Sequence, residues 1–280
     1  MSHTEAREVA TAAAAHSGVE IDEATSMEAN TEISGLLANV WGVGPDDSPL
    51  KPALIRVASH LGCYVVAAYQ PNGVMVGASF GMFAADGHLH SHITGVDPSR
   101  QGRGIGLALK LHQRVWALEH GIDRVSWTFD PLVARNAYFN IARLGVDVID
   151  YHQDFYGEMQ DEINAGDATD RLFVDWNLRS SRVEEAVAGT GVITEIDNLL
   201  TRVGVVVGID GERPVFEQLS DEAGTVVVAV PPDIEGTRSR NPELAREWRM
   251  GVRAGLGDAL RRGYRLTGVS RQGWYVLEKQ

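Results

Sequence analysis

Apolar residues in the first part of the chain recur first with a helical period and then with a strand-like one. Two stretches with apolar positions three and four residues apart predict amphipathic helices, one capped by Ser26 and one beginning at Ser48-Pro49. Three β-type runs follow at residues 63–69, 74–83 and 88–96, separated by short turn sequences. Because short turns join neighbouring strands, these runs predict an antiparallel meander.

The pattern then alternates between helix and strand. With a short strand at residues 19–21 placed before the first helix, the predicted order is β-α-α-β-β-β-α-β-α-β-β. After the meander, the predicted elements are a helix at 107–118, a strand at 125–129, a helix at 136–144 that ends at Gly145, and strands at 146–151 and 171–178. A polar connection at residues 153–170 separates the last two strands.

Composition changes near residue 179, where the chain becomes charged and rich in glycine. We therefore predict a flexible tail at 1–18 that is frayed or weakly helical, a main domain at 19–180, a linker at 181–192 and a small α+β region at 193–280. The last region contains no motif that indicates a particular reaction or ligand. Its predicted elements are strands at 203–207, 225–230, 264–270 and 274–277, and a helix at 242–262.

Charge and composition exclude several classes of protein. The net charge is −13 and no block of Lys and Arg is present, so we expect no nucleic-acid partner. The chain has no apolar run of about 20 residues and no signal-peptide pattern, so we expect no membrane partner and a cytoplasmic location. The single cysteine, Cys63, excludes an internal disulfide and a cysteine metal cluster, and we expect it to be buried in a strand.

A glycine-rich turn, Arg100-Gln101-Gly102-Arg103-Gly104-Ile105-Gly106, joins a predicted strand to a predicted helix. In this layout the backbone N–H groups at the helix start can bind a phosphate. No Gly-Lys-Ser/Thr follows, which excludes a nucleotide-triphosphate loop. Leu107 or Leu109 stands where a dinucleotide fingerprint needs its last glycine. A helix start built only for packing remains an alternative on these residues alone.

The spacing Gln101-x-x-Gly104-x-Gly106 matches the Gln/Arg-x-x-Gly-x-Gly/Ala signature of the Gcn5-related N-acetyltransferases. The strand before it and the order of elements match as well, so residues 21–178 resemble this superfamily. Within it, the chain is similar to a poorly characterised bacterial group of predicted acetyltransferases with a C-terminal extension. That closer resemblance rests on Leu89-His90-Ser91-His92, Trp127-Thr128-Phe129-Asp130-Pro131-Leu132, Arg135-Asn136-Ala137 and Asp170-Arg171-Leu172.

The resemblance implies an α/β (α+β) fold. It has a mixed, mostly antiparallel sheet, a V-shaped split between the fourth and fifth strands and helices on both faces. It implies an acyl-CoA co-substrate whose pantetheine arm pairs with the backbone near Thr94, Gly95 and Val96. Asn136 is either a further pantetheine contact or a helix cap. The implied pyrophosphate contacts are the backbone amides of Gln101, Gly102, Arg103, Gly104, Ile105, Gly106 and Leu107.

Acyl transfer to an amine needs a group that removes a proton, and His90 and His92 are candidates. They lie two residues apart on a predicted strand and therefore share a face. The pKa of an ordinary imidazole, about 6.5, lies close to neutral pH, so a histidine can accept a proton there. The alternative is a pair of structural histidines. No third ligand stands at a telling spacing, so we expect no metal site.

The usual acid that protonates the leaving thiolate is absent or displaced in this sequence. Many members of the superfamily place a Tyr four residues before the glycine that ends the helix after the fifth strand, but here that position is Ile141. Tyr138 is the nearest replacement, unless it is only a packed aromatic. Asp130 either binds a substrate ammonium or forms a turn before Pro131. Arg171 either binds a substrate carboxylate or pairs with its neighbour at a surface turn.

The predicted function is an acyl-CoA-dependent N-acyltransferase that moves an acetyl or succinyl group to a small amine or amino acid. Transfer is expected to be direct, in a ternary complex, because Cys63 lies far from the glycine turn in sequence. The alternative is a catalytically inactive acyl-CoA sensor or scaffold. The sequence leaves open whether the C-terminal region makes a homodimer.

Overall fold

The computed structural model describes residues 1–157, 166–191, 194–197, 199–220 and 223–280. These residues form two compact units. The first comprises residues 1–127 and 177–180, and the second comprises residues 128–176 and 181–280. The division therefore falls within the predicted main domain, after Trp127, and not in the predicted linker.

The first unit contains four helices and five strands among the described residues. In chain order they are α1 (His3–Ser17), β1 (Glu20–Glu23), α2 (Met27–Trp41), α3 (Pro52–His60), β2 (Val65–Tyr69), β3 (Met75–Phe83), β4 (Leu89–Val96), α4 (Ile105–Glu119) and β5 (Arg124–Phe129). Short 3-10 turns precede α3 at Pro45–Asp47 and follow β4 at Pro98–Arg100.

Helix α1 occupies the segment where the sequence predicted a flexible tail. Ser2 and Glu5 form a capping box, in which the Ser2 side chain accepts from the Glu5 amide and the Glu5 carboxylate accepts from the Ser2 amide. Gly18 ends the helix with a left-handed backbone, φ +65°. Ala6 is buried, so the alanine-rich helix is held by packing as well as by its cap.

The strands of the first unit lie in the order β1-β2-β3-β4-β5. Neighbours are antiparallel from β1 to β4, and β4 and β5 are parallel. Helices cover both faces, as two glycines show. A Cβ on Gly95 would lie 2.9 Å from Leu37 of α2, and a Cβ on Gly77 of β3 would lie 3.1 Å from Ile105 and Leu109 of α4. With the small second sheet described below, the predicted fold class is confirmed.

Two local predictions in this unit differ from the structure. Helix α3 begins at Pro52, with Lys51 as its N-cap, and not at Ser48-Pro49. Ser48 is buried and its hydroxyl donates to the Ser34 carbonyl, so it ties α2 to the turn instead of capping a helix. Cys63 lies just before β2 and is half-buried, packed against the core between the sheet and helices α2 and α3.

The second unit combines a hairpin, a second sheet and four helices among the described residues. Its elements are α5 (Ala134–Ala137), a π-helix (Tyr138–Arg143), β6 (Asp147–His152), β7 (Arg171–Asn177), α6 (Ser181–Val187), β8 (Gly204–Asp210), β9 (Arg213–Phe216), β10 (Thr225–Ala229), α7 (Ile234–Arg240), α8 (Pro242–Arg261), β11 (Tyr264–Val269) and β12 (Trp274–Lys279).

Strands β6 and β7 pair antiparallel, and the second sheet has the order β11-β12-β10-β8-β9. Helix α8 buries Trp248, Val252 and Leu256. The close fit of Gly255 against Val207 and Val228 places α8 on β8 and β10. The small C-terminal α+β region is therefore present as predicted.

Three details of this unit differ from the predictions. Helix α6 covers residues 181–187, which the sequence predicted as linker. The sequence pattern also missed β9 and α7. Strand β9 has four residues and contains a proline, and α7 is short and polar. Residues 158–165 of the predicted polar connection and residue 192 of the predicted linker lie outside the described residues.

No helix in the described ranges is long and apolar enough to cross a membrane.

Candidate functional site

The centre of the candidate site is the place where β4 and β5 separate. The two strands pair only at Leu89 with Val125 and at His90 with Ser126. Beyond His90, β4 is registered with β3 up to Val96, and no described strand pairs with its other edge. Since strand edges expose unpaired N–H and C=O groups, this edge can pair with an extended ligand.

A β-bulge lies at the apex of this split. Phe80 of β3 faces Ile93 and Gly81 faces Ser91, so His92 is the extra residue on β4. A bulge turns side chains away from strict alternation. The rings of His90 and His92 lie 6.4 Å apart, and the ring of Phe80 lies 6.3 Å from that of His92. Both histidines are half-buried at the apex, and their predicted role as bases stays a prediction.

The predicted pyrophosphate loop follows β4 after one 3-10 turn. Gly102 and Gly104 adopt left-handed backbones, with φ values of +77° and +86°, which favour glycine. Gly104 is the N-cap of α4 and makes no side-chain cap hydrogen bond. The first N–H groups of a helix need an external partner, and residues 101–104 are exposed. This helix start therefore fits an anionic ligand such as a pyrophosphate.

The predicted pantetheine contacts lie between the apex and this loop. Thr94 Oγ1 is 2.8 Å from Ser79 Oγ, so its side chain is directed toward β3. Gly95 packs under α2, and Val96 ends the strand. Within the described part of the chain, the edge of these residues that faces away from β3 has no strand partner. The chain thus leads from an unpaired strand edge to an exposed loop and helix start within ten residues.

Four side chains extend the apex toward the surface. Ser126 Oγ lies 2.8 Å from His88 Nε2 and 3.0 Å from His90 Nδ1. His88 Nδ1 is hydrogen-bonded to Asp86. Burial, and then the nearby His92, His88 and Lys110, lower the pKa of His90 to about 4. His90 is therefore neutral at pH 7, but it is a weaker base than the sequence led us to expect for an ordinary imidazole.

Lys110 lies at the same apex, on the α4 side. Its ammonium donates to Ser91 Oγ of β4 at 2.9 Å and to Gln113 Oε1 at 3.0 Å, and it lies 3.6 Å from the ring centroid of Trp127 of β5. Lys110 is 5% exposed, and burial lowers its pKa from 10.5 to about 7. The Lys110 side chain thus contacts both β4 and β5 next to the point where their pairing stops.

Sequence reasoning missed Ser126, His88 and Lys110. The alternation His88-x-His90-x-His92 was a usable signal, because all three histidines stand at the same strand period. Lys110 was visible as a lone charge in the apolar run around it. Nothing in the sequence marked Ser126, whose role depends on the β4–β5 register.

Asp130 lies in the second unit, in a buried group of four charges, and not as a free carboxylate. Its oxygens accept from Arg238 Nη2 at 2.6 Å and from Arg249 Nη1 and Nη2 at 2.9 Å, while Asp167 accepts from both arginines. Burial raises the pKa of Asp130, but the opposing effect of Arg249 and Arg238 is larger and holds the pKa well below its usual range. The suggested ammonium-binding role is replaced by a structural one. The alternative, a turn, is observed, since Asp130 Oδ1 accepts from the Leu132 amide.

Tyr138 and Asn136 also lie in the second unit. Tyr138 begins the π-helix, and its hydroxyl accepts from Arg271 Nε at 3.1 Å. Asn136 is exposed inside α5, whose N-cap is Val133, so the helix-cap alternative for Asn136 is not observed. Ile141 is buried. The predicted roles of Tyr138 as an acid and of Asn136 as a pantetheine contact stay predictions.

The dipeptide Asp170-Arg171 is buried and is not a surface turn. Asp170 accepts from the Tyr151 hydroxyl at 2.6 Å and from Arg253 Nε at 2.8 Å. Burial raises the pKa of Asp170, but the hydrogen bonds from Arg253 and Tyr151 lower it below its usual value. Arg171 Nη1 donates to the Asp170 carbonyl, so both residues belong to the interior of the second unit.

The described residues contain no group of three or more His, Cys, Asp or Glu side chains that could hold a metal ion.

No model of a protein family and no curated protein matches the chain. Among solved structures, the chain is similar to the ribosomal-protein-S18-alanine N-acetyltransferase of Escherichia coli, with 13% identity over 58% of this chain and 96% of that chain and a TM-score of 0.46. It is similar to an acetyltransferase of the GNAT family from Streptococcus pneumoniae, with 14% identity over 56% and 97% and a TM-score of 0.46. It is also similar to a GNAT superfamily phosphinothricin acetyltransferase from Sinorhizobium meliloti in complex with acetyl-CoA, with 15% identity over 56% and 87% and a TM-score of 0.46.

Proposed function

We propose that this chain, which has the fold of the Gcn5-related N-acetyltransferases, is an acyl-CoA-dependent N-acyltransferase. The observation that carries the proposal is the continuity of the open β4 edge with an exposed, uncapped helix start at Gly104. An acyl-CoA has the matching form, an extended arm with amide groups that ends in a pyrophosphate. The arm pairs with the backbone of residues 94–96, and the pyrophosphate accepts from the amides of residues 101–107.

Local positive potential explains how a protein of net charge −13 binds an anion. The unpaired amides and the dipole of α4 provide fixed partial positive charge at the loop. Arg100 and Arg103 stand in the same turn, and Arg103 is exposed. The expected donors are acetyl-CoA or succinyl-CoA.

Acylation of an amine requires a neutral nitrogen, and His90 is the proposed base. His90 is neutral at pH 7 because burial lowers its pKa to about 4, and it lies at the apex where the thioester is expected to end. His92, on the bulge, is the second candidate, directly or through a water. Tyr138 is kept as the candidate acid for the leaving thiolate.

Direct transfer in a ternary complex is proposed over a covalent route. Cys63 precedes β2 and packs in the core cluster with α2 and α3 residues such as Leu37 and Ile55. No described contact brings its thiol to the β4–β5 apex. The proposed acceptor is a small amine or amino acid.

The test is a thiol-release screen in which acetyl-CoA or succinyl-CoA is offered with primary amines and with D- and L-amino acids. We expect thiol release that depends on one acceptor class. Binding of acyl-CoA without thiol release from any acceptor would favour the inactive sensor, an alternative that isoleucine in place of the usual tyrosine at position 141 supports. Absence of both binding and release would refute the proposed function.

A further inference from the structure

A hydrogen-bond chain leads from the apex of the split to the protein surface. His90 Nδ1 is 3.0 Å from Ser126 Oγ, which is 2.8 Å from His88 Nε2. His88 Nδ1 is in turn hydrogen-bonded to Asp86 Oδ1. Ser126 is fully buried, whereas the Asp86 side chain is 56% exposed. The four groups therefore connect a buried hydroxyl at the last β4–β5 pair with a carboxylate in solvent.

A neutral His88 gives the chain of hydrogen bonds one direction. The hydrogen bond from His88 lowers the pKa of Asp86, so Asp86 is an ionised carboxylate that only accepts. When His88 is neutral, its Nδ1 carries the proton that faces Asp86, and its Nε2 accepts from the Ser126 hydroxyl. Ser126 Oγ accepts in turn from His90 Nδ1–H. This leaves the lone pair of His90 on Nε2, where a base needs it.

We propose that Ser126, His88 and Asp86 form a proton relay that carries to solvent the proton that His90 takes from the acceptor amine. The inference rests on the proposed function and adds three positioning residues that act through His90.

The proton balance of the reaction requires such an exit. A protonated amine and an acyl thioester give an amide and a free thiol, the C–N bond forms as the C–S bond breaks, and one proton is left over. His90 Nε2 accepts that proton and Nδ1 passes its own to Ser126 Oγ. The Ser126 hydroxyl proton moves to His88 Nε2, and the Nδ1 proton of His88 leaves through Asp86 to water. The starting state returns when the protons on His90 and His88 move from Nε2 back to Nδ1 by exchange with water.

The charge environment makes onward transfer necessary. A protonated His90 is disfavoured by burial, and then by His92, His88 and Lys110, which lower its pKa to about 4. A proton held there would return to the amine. Asp86 lies in solvent, with Arg124 Nη1 at 3.5 Å from its second oxygen. The relay therefore moves the proton away from a repelling site toward a carboxylate and bulk water.

The kinetic test compares His88→Gln and Ser126→Ala with wild type, using acetyl-CoA and the amine that releases most thiol in the screen. The glutamine side chain keeps a hydrogen-bonding group in place of the imidazole but cannot pass a proton. We expect kcat at pH 7 to fall about 10–100-fold, less than the roughly 10²–10⁴-fold loss expected on removing a general base itself, with KM for acetyl-CoA unchanged. The deficit should shrink above the pKa of the acceptor amine, where the amine is already neutral.

The matched control is His152→Gln, since His152 Nε2 also lies near an exposed aspartate, Asp150, at 3.8 Å. It should retain wild-type kinetics. A loss in His88→Gln that is equal at all pH values, or no loss, would overturn the relay while leaving the acyltransferase intact. Because His88 lies near the surface, this variant keeps the test valid if Ser126→Ala fails to fold.

A second measurement does not depend on turnover. Histidine ¹⁵N chemical shifts of the wild-type protein report which ring nitrogen carries the proton. The relay requires protonated Nδ1 and bare Nε2 on both His88 and His90. The opposite tautomer on His90 would overturn the relay even if the protein acylates no amine.

Discussion

Replacing Asp130 by Asn tests whether the buried group of four charges holds the second unit together. The two side chains have nearly the same shape, and Asn can still accept from the Leu132 amide as Asp130 does at 2.9 Å. The substitution removes only the negative charge. Arg238 and Arg249, both with 2% exposed side chains, would then share the single carboxylate of Asp167.

The expected cost follows from the burial of these partners. Removing one member of a buried, hydrogen-bonded ion pair leaves an uncompensated charge and typically costs about 3–5 kcal/mol. Asp130 accepts three hydrogen bonds from the two arginines. We therefore expect Asp130→Asn to lower the opening free energy of α8 by about 3–5 kcal/mol at pH 7.

The pH dependence has a definite sign. The arginines hold the pKa of Asp130 below its value in the unfolded chain, about 3.9. Its stabilising effect is therefore complete above about pH 4 and is lost as the pH falls further. The difference between wild type and Asp130→Asn should be large at pH 7 and should shrink in acid.

Amide hydrogen exchange along α8 measures this directly, because α8 carries Arg249 and packs on the second sheet. The matched control is Asp150→Asn, because Asp150 of β6 is an exposed aspartate. It should change the opening free energy of α8 by less than about 0.5 kcal/mol. In the Asp130→Asn background, Arg249→Met should cost less than in wild type, since it removes a charge that has already lost one of its two carboxylate partners. A loss below about 1 kcal/mol for Asp130→Asn would refute the assigned role of the four charges.

Two further substitutions test the candidate site. Burial lowers the pKa of Lys110 from 10.5 to about 7, so between these values the unfolded chain binds a proton that the folded protein lacks, and stability rises with pH. Lys110→Met should remove this rise and increase the free energy of unfolding by about 1–3 kcal/mol at pH 7, after the lost contacts to Ser91 and Trp127 are subtracted. Urea unfolding at pH 7 and 9.5 measures both effects, and an unchanged dependence of stability on pH would contradict the prediction. Gly104→Ala forces a side chain onto a backbone with φ +86° and places Cβ 2.8 Å from Ser17 Oγ. The affinity for acetyl-CoA should therefore fall at least about tenfold. The control is Gly121→Ala, at a position that is also left-handed, with φ +72°, but in open space; this variant should bind acetyl-CoA normally in the same titration.

Much of the first unit followed from the sequence because its signals are local. The helical period from Leu107 and the turns between β2, β3 and β4 each depend on a few neighbouring residues. The glycine turn was equally local, since its spacing alone excluded two other phosphate loops. For α1 the sequence predicted a weak helix at most, because an alanine-rich segment has no clear apolar face, and the stability of the helix depends on a cap and on packing.

The chemistry around the apex depended on pairings that the sequence does not contain. Ser126 is placed between two histidines by the two-residue β4–β5 register. Asp130 was expected to meet a substrate ammonium, but its partners Arg238 and Arg249 come from helices more than 100 residues later. Such long-range ion pairs leave no pattern along the chain.

Calorimetric titration of acetyl-CoA into the wild-type protein tests the central claim most directly, namely that the open β4 edge and the Gly104 helix start bind an acyl-CoA. We predict saturable binding with a dissociation constant in the micromolar range, about −8 kcal/mol, that weakens in Gly104→Ala and persists in Gly121→Ala. Absence of heat at protein concentrations well above micromolar, or equal binding by all three proteins, would contradict this claim.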